Sequence, residues 1–436
     1  MDSSEARIAP SVAGSADMDT AGRARSPWGI LALLCVGILI AFLDRSSISA
    51  VLADKEFTQY FGLSPQQRGW LGAAFFWSYA LAQVPMGWIA DRFGIKYPYA
   101  ICFLFWCLAT AAAGTMTAFG GIIITRIFVG VAEGMVNPAS YRWIRLNVPE
   151  RHAGTALGLL LMGNQTGTAI GAPIAAWLII NHNWRWMFFL TGILALLWLI
   201  PWMLCVRDDF PRGEKRAEAM RSAATVPIRN VVVSPVVWGA MITNFCYSYF
   251  LYYCMTWMPS YLVERRGLSL SQSGFYTFFS FAGIAIVSVV AGWVADRIIE
   301  RGGRAIVVRK AFVVAGFFGA TSVLFGAYTD SLSAALFWNV FSLSCLGLAS
   351  ANNLVLTKIT LVPAPAVGLV TGVQHLAAGL SGGTTALLSG WLLHVSGGYE
   401  LPMKVIVVFL IVGAASNLIL LRPRWSPKVN AVQPPA

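Results

Sequence analysis

The chain has 436 residues, of which 57% are hydrophobic and only 11% charged, against about 25% charged residues in an average soluble domain. A soluble protein is thereby excluded, because apolar runs recur along the whole length. The net charge of +12 raises nucleic acid as a partner, and its distribution, given below, argues against one.

Residues 1–27 are polar, rich in Ala and Ser, and carry Asp2, Glu5, Asp17 and Asp19 without an apolar stretch. They read as a disordered cytoplasmic tail, not a cleavable signal. Six apolar segments follow, near 28–52, 67–90, 97–117, 119–145, 152–180 and 184–206. The stretch 207–233 interrupts them with Asp208, Asp209, Arg212, Glu214, Lys215, Arg216, Glu218, Arg221 and Arg229. Six more segments lie near 234–263, 271–299, 309–328, 332–357, 365–394 and 398–421, before a short tail over 422–436. About 20 apolar residues span a bilayer core. The runs are continuous, not alternating, which predicts helices and excludes a barrel. The expected fold is all-α and integral to the membrane. Its twelve transmembrane helices form two six-helix bundles, 28–206 and 234–421, joined by the 207–233 linker.

With the first tail placed in the cytoplasm, 23 of the 31 Lys and Arg residues fall on the cytoplasmic side, 6 outside and 2 within the membrane. That is the positive-inside bias. The basic balance therefore reports orientation, with both termini cytoplasmic, and implies no nucleic-acid partner. The seven Cys residues all lie in or beside apolar segments without metal-ligand spacing, so they read as small packing residues. No GxxxxGK[ST] loop, metal motif or nucleophile–base arrangement occurs. An enzyme, an ATP-driven pump and a bound cofactor are all unexpected.

The second segment ends GWIADRFGIK at 87–96, and the eighth ends GWVADRIIERGGR at 292–304. Gly-Trp-x-Ala-Asp-Arg recurs with an offset of 205 residues, at the equivalent place in each half. One such match would only mark a helix ending at the membrane surface; two point to an internal duplication. The loop after the second segment resembles the signature of the major facilitator superfamily through Gly87, Asp91, Arg92, Gly94 and Lys96, with Ile95 departing from the usual small residue. The resemblance implies that Gly lets two helices approach and that Asp pairs across the interface between halves. Gly87, Asp91, Arg92, Asp296 and Arg297 are then gating and packing residues.

Four charges sit inside the predicted membrane. Asp44 and Arg45 lie in ILIAFLDRSSISAVL, roughly 24 Å along the first helix at 1.5 Å per residue. Arg126 and Glu133 share the fourth helix, seven residues apart and so on one face. Each intramembrane charge costs roughly 2.5–3.5 kcal/mol on the insertion scale. Such charges either lock helices together or line a transport pathway. Buried ion pairs stabilise poorly compared with apolar packing, which favours the pathway. Arg offers a planar fork that fits a carboxylate. An acid that loses its Arg partner to an incoming anion is free to take a proton.

Asp44-Arg45, Tyr79 and Arg126-x6-Glu133, together with TWMPSYLVERRG at 256–267 and GVQHLAAGLSGG at 372–383, look like the anion:cation symporter family. That family includes bacterial sugar-acid transporters, the vesicular glutamate transporters and sialin. The similarity covers nearly all of the chain after residue 27. It implies proton-coupled import of an organic anion across a bacterial inner membrane. Arg45 would hold the substrate carboxylate, Asp44 and Glu133 would carry protons, and Arg126 would complete the coupling cluster. Family members often carry Asn where His375 stands, which bears on substrate identity.

The remaining polar positions have two readings each. Tyr79 is either an interfacial anchor or, from its mid-helix place, a cavity hydroxyl. Asn164 and Gln165, like Asn352 and Asn353, are adjacent amides, so at most one of each pair should face a substrate squarely. The family match favours Asn164 and leaves the 352/353 pair open. His375 is either a packing residue or a donor to the substrate. Arg142 and Arg145 read as topology determinants. The first candidate substrate is a sugar acid, then an aromatic or dicarboxylic acid. Drug or metabolite efflux on the same fold, and a non-transporting membrane receptor, are the other readings. The expected partners are a small organic anion, protons and membrane lipid, with no obligate protein partner. The first, fourth, seventh and tenth helices should line the cavity.

Overall fold

The computed structural model describes residues 27–207, 230, 233–363 and 366–427. Most of the predicted first tail, most of the 207–233 linker and the end of the last tail lie outside these residues. Twelve membrane-length helices follow in order. They are α1 (Pro27–Ala53), α2 (Pro65–Phe93), α3 (Lys96–Ala113), α4 (Phe119–Asn147), α5 (Glu150–His182) and α6 (Trp184–Cys205). Then come α7 (Pro235–Thr256, continued as Met258–Glu264), α8 (Leu270–Glu300), α9 (Ala305–Tyr328), α10 (Leu332–Val355), α11 (Val367–Ser396) and α12 (Glu400–Leu420). A wide turn of π-helix, Leu356–Thr360, extends α10.

Among the described residues, nine of these helices are both long enough and apolar enough to cross a membrane on their own composition. The other three, α2, α5 and α7, are long but more polar. Their positions explain it. α2 packs on α11, α5 on α8 and α1, and α7 on α11 and α12. A helix that meets protein or an internal cavity on most sides does not need the apolarity of a lipid-facing one.

The internal repeat runs further than the Asp-Arg motif. Ser64 caps α2 in a capping box with Gln67, and Ser269 caps α8 in the same box with Gln272. Each box satisfies free N–H groups at a helix start. Gly69 and Gly274 stand five residues beyond these caps. All three pairs, like Gly87 and Gly292, are offset by the same interval. The paired glycines make paired contacts. A Cβ on Gly69 would come within 2.6 Å of Ala386 O on α11, and one on Gly274 within 3.0 Å of Pro173 Cα on α5. The two interfaces between the halves, α2–α11 and α5–α8, are thus pseudo-symmetric.

Both interfaces are tight at one end only. We name the two ends of the bundle the Glu264 face and the Asp91 face after residues that stand there. Toward the Glu264 face, Gly379 meets Ala80, and Gly390 meets Pro65 O at 2.6 Å. Toward the Asp91 face, a Cβ on Gly158 or Gly372 would meet nothing within 4 Å, and one on Gly87 only Pro138 at 3.8 Å. The halves therefore splay at the Asp91 face. A clasp joins them at the other. Arg68 of α2 binds the Glu264 carboxylate at the end of α7 and donates to Leu52 O at 3.3 Å, and Tyr399 OH donates to Glu264 Oε2 at 2.7 Å.

The glycine contacts carry a prediction. Gly69→Val drives a branched side chain into backbone, and overpacking of this kind costs about 1–3 kcal/mol. The detergent-solubilised variant should melt at a lower temperature than the parent, whereas Gly87→Val should melt close to it. Equal melting of the Gly69 variant and the parent would contradict the contact.

Candidate functional site

A cavity of about 190 Å³ lies between the halves. The expected helices α1, α4, α7 and α10 line it, and so do α2, α5, α8 and α11. Arg45 is the one permanently charged residue of its wall among the described residues. Its guanidinium is held in place on three sides. Phe42 and Tyr79 present their rings at 4.4 and 4.2 Å from Arg45 Cζ, which favours a cation by the ring quadrupole. Its Nε donates to Glu133 Oε2 at 2.7 Å. With Nε used on Glu133, the two terminal Nη groups remain to meet a ligand.

Asp44 is not among the residues that line the cavity. It lies 3.9 Å from Arg126 Nη2 and beside Trp106 and Thr110 of α3. Both residues are buried, Asp44 at 4% exposure and Arg126 at 1%. The four charges predicted from sequence thus form one cluster of two crossed pairs, Arg45–Glu133 and Arg126–Asp44, joining α1 to α4. Their sum is zero. Several atoms of the cluster have no hydrogen-bond partner: Glu133 Oε1, and Nε, Nη1 and Nη2 of Arg126. Buried polar groups left this way are costly. A cluster serving only as a rivet between helices would be expected to use these bonds.

The Tyr79 hydroxyl accepts from Asn137 Nδ2 at 2.8 Å. One turn on from Asn137, Tyr141 OH lies 3.4 Å from His375 Nε2 on α11. Arg45, Tyr79 and Asn137 thus touch in turn, and Tyr141, on the same helix as Asn137, reaches the other half. Asn164 and Gln165 both line the cavity, which corrects the expectation that only one of the two would, since a 100° step still leaves both within reach of a wide cavity wall; Asn353 lines it too. Asn352 does not, and the open choice within that pair is resolved against it. Its Oδ1 accepts from Arg309 Nη1 at 3.2 Å and its Nδ2 donates to Leu348 O. Successive helical residues differ by about 100° in direction, which turns Asn353 to the cavity and Asn352 to α9.

Asp91 pairs with Arg142 Nε at 3.4 Å and Arg145 Nη2 at 3.6 Å, both on α4 of its own half. This corrects the expectation that it pairs across the halves, and the physical reason is the splay at this face. It also gives Arg142 and Arg145 a partner beyond their part in topology. Asp296 pairs with Arg309 Nη2 at 2.7 Å, and Arg297 with Glu300 at 3.3 Å. Arg92 lies over the rings of Trp88 and Phe93.

Sequence reading missed Asn137, Tyr141 and nearly all of α7. Asn137 follows Glu133 by four residues and so shares its face. On α7, Asn244, Tyr247, Ser248, Leu251, Tyr252 and Met255 all line the cavity, at steps of three, one, three, one and three. That periodicity was readable. Neutral amides and hydroxyls in an apolar helix carry no charge penalty to flag them.

Twelve membrane-crossing helices around a central cavity with a single buried Arg among amides and hydroxyls, splayed at one face and closed at the other, define a membrane carrier rather than an enzyme. The chain belongs to the Major Facilitator Superfamily, whose family model matches residues 34–362. Among its relatives, the D-galactonate transporter of Escherichia coli O6:H1 is 26% identical over 417 residues, covering 89% of this chain and 94% of that one. A probable sulfoacetate transporter of Cupriavidus necator is 27% identical, covering 90% and 93%. A probable galactarate/D-glucarate transporter of Escherichia coli K12 is 25% identical, covering 91% and 94%. In fold, the chain is similar to a bacterial homologue of the human lysosomal transporter Spinster in its inward-facing, unoccupied form, with TM-score 0.75 at 19% identity over 93% of this chain and all of that one. A D-xylose–proton symporter matches with TM-score 0.70 at 16% identity, over 92% and 98%.

Proposed function

We propose that this carrier imports a small organic anion, with a sugar acid as the first candidate, by proton-coupled alternating access. The observation that carries the reading is the crossed cluster. Its one cavity-facing charge, Arg45, is already neutralised from behind by Glu133. A carboxylate arriving at the Arg45 Nη groups competes with Glu133 for the same guanidinium. The bound anion then leaves the buried set at a net charge of −1. One proton on Glu133 or Asp44 returns it to zero. Moving an uncompensated charge through a low-dielectric core is costly, so the loaded carrier changes access readily only with the proton aboard. Tyr79 and Asn137 keep Arg45 in place, and Asn164, Asn353 and His375 stand where the rest of the substrate would lie.

The gating residues follow the same division. Asp91, Arg92, Asp296 and Arg297, with Gly87, act at the face that is splayed here, and Arg68–Glu264–Tyr399 act at the closed one. The two six-helix bundles, 28–206 and 234–421, rock as units about the cavity. The setting is a bacterial inner membrane with both termini and the 207–233 linker cytoplasmic, which makes the Asp91 face cytoplasmic. The positive-inside count supports this orientation.

The test is uptake of a panel of organic acids into proteoliposomes, with and without an inward proton gradient. Concentrative uptake of at least one carboxylate, abolished by a protonophore, is expected. Equal uptake with and without the gradient for every acid would remove the proton coupling. For the orientation, a Cys placed in the linker should react with an impermeant thiol reagent only after cells are opened; labelling of intact cells would reverse the topology.

A further inference from the structure

A basic cluster stands at the Asp91 face of the C-terminal half, where α9 begins and α12 ends. Neither the cavity nor the gates use it. The acids nearby in sequence are taken, Asp296 by Arg309 and Glu300 by Arg297. Lys310, Arg422 and Arg424 form no ion pair among the described residues. Lys310 Nζ donates to Leu418 O at 3.3 Å, in the last turn of α12, which uses one of its three N–H groups. Beyond α12 the chain stays on the bundle in a short turn, Pro423–Trp425. Two side chains pin that turn. Ser234 Oγ, before α7, donates to Trp425 O at 2.7 Å, and Ser426 Oγ donates to Leu361 O at 2.6 Å. The Trp425 ring packs against the buried cluster that includes Val236, Leu361 and Leu421. Both exposed arginines lie against that ring, Arg424 Cζ at 4.4 Å and Arg422 Cζ at 5.4 Å. Cations near a helix C-terminus also suit its dipole and the topology of the chain. Those roles ask only for charge; they do not require the turn to be pinned or its arginines to be set on one ring.

We infer that this junction binds the phosphate headgroup of an anionic membrane lipid, with Lys310, Arg422 and Arg424 as its cations and Trp425 as the interfacial ring beneath it. Basic clusters beside membrane helices attract such headgroups, and Arg meets phosphate oxygens with a planar fork. Tryptophan suits the level of the headgroups, where one side is apolar and the other wet. The same two helices supply a surface for the acyl chains. Val307 and Phe318 of α9 and Ile411 and Leu418 of α12 are exposed and apolar. That continuity favours a lipid over free phosphate, which has nothing to lay on those residues. A lipid held here would bridge α9 and α12 on the outside of the C-terminal bundle, away from the substrate path, so the inference stands apart from the identity of the carried anion.

The experiment titrates the purified full chain in detergent with cardiolipin, phosphatidylcholine and inorganic phosphate, and counts bound molecules by native mass spectrometry. Cardiolipin should bind at least about tenfold tighter than phosphatidylcholine. Removing both arginines of the turn, Arg422→Ala with Arg424→Ala, should weaken cardiolipin binding about thirtyfold. Removing two arginines elsewhere on the same face, Arg301→Ala with Arg304→Ala, should change it less than about threefold. Lys310→Ala, on α9, should weaken it about fivefold and keeps the test alive should the turn variant fold poorly. Cardiolipin binding no tighter than phosphatidylcholine would overturn the inference. Equal losses in the two double variants would reduce the effect to general surface charge and overturn the site. Unchanged binding in both the turn variant and Lys310→Ala would do the same. Inorganic phosphate that displaces cardiolipin at equal concentration would make this a site for free phosphate and overturn the lipid assignment.

Discussion

Glu133→Gln is expected to abolish uphill accumulation while leaving substrate binding in place. Gln matches Glu in shape and can still accept the 2.7 Å bond from Arg45 Nε. It cannot release or take up a proton. In the proposed cycle Glu133 binds Arg45 when the cavity is empty and holds a proton when an anion has displaced it. The variant is fixed in a form like the protonated one, so the loaded carrier should still change access. The empty carrier then returns with an unneutralised Arg45, a buried charge without its partner. Net uptake should stall and exchange of preloaded substrate should persist. The measurement compares proteoliposomes with equal protein. Net uptake should stay at or below the equilibrium level with the proton gradient imposed, and counterflow should survive within about a factor of ten of the parent, on the view that each 1.4 kcal/mol is tenfold. Asn at position 44 should act in the same direction. Its structural effect differs, because Asp44 faces Arg126 and α3 and is not part of the cavity wall. Loss of coupling with intact affinity there would mean that the proton need not sit beside the substrate. If both neutralised variants accumulate substrate as the parent does, the crossed pairs are rivets between α1 and α4 and the coupling mechanism fails.

Much of this architecture was legible because the bilayer makes sequence simple. A run of apolar residues long enough to cross it has few alternatives to a helix. The charges in α1 and α4 stood out for the same reason: nothing cheap explains Arg126 in IIITRIFVG. Their residue types suggested pairing, but the crossing did not follow from spacing. Asp44 and Arg45 are neighbours on one helix and Arg126 and Glu133 are two turns apart on another. Only the packing of α1 against α4 brings Arg45 to Glu133 and Asp44 to Arg126. The α10 amides were undecidable because the direction of Asn352 depends on where α9 carries Arg309. The duplicated capping boxes at Ser64 and Ser269 were present in the sequence and went unread, since Ser-x-x-Gln is common. Paired contacts at Gly69 and Gly274 give them meaning. The state of the two faces lay furthest from sequence. Asp91 has the same neighbours along the chain whether or not the halves meet beside it, so its pairing reports conformation, not composition.

Arg45→Lys should reduce uptake on the order of a hundredfold, although the charge is kept, because losing the guanidinium fork on two buried carboxylates at once costs about 3 kcal/mol. Three features of Arg45 are lost together. Its guanidinium carbon lies over the Phe42 and Tyr79 rings, at 4.4 and 4.2 Å, where an ammonium has no flat face to match. Its Nε holds Glu133 while the Nη groups stay available, a division of labour that one nitrogen on a flexible stem cannot make. And the fork meets both carboxylate oxygens of a substrate, where Lys is a point charge. The shorter side chain must choose between Glu133 and the substrate. If it chooses Glu133, affinity falls; if it chooses the substrate, Glu133 is left as a buried carboxylate that can be relieved only by a proton. The two cases separate in the assay. Loss of affinity with coupling retained puts the damage in the fork. Uptake that recovers when the cavity side is acidified puts it in the Glu133 partnership. Near-parental affinity and uptake at equal membrane expression would exclude Arg45 as the anchor, and the anion would have to be held by the neutral wall of the cavity alone.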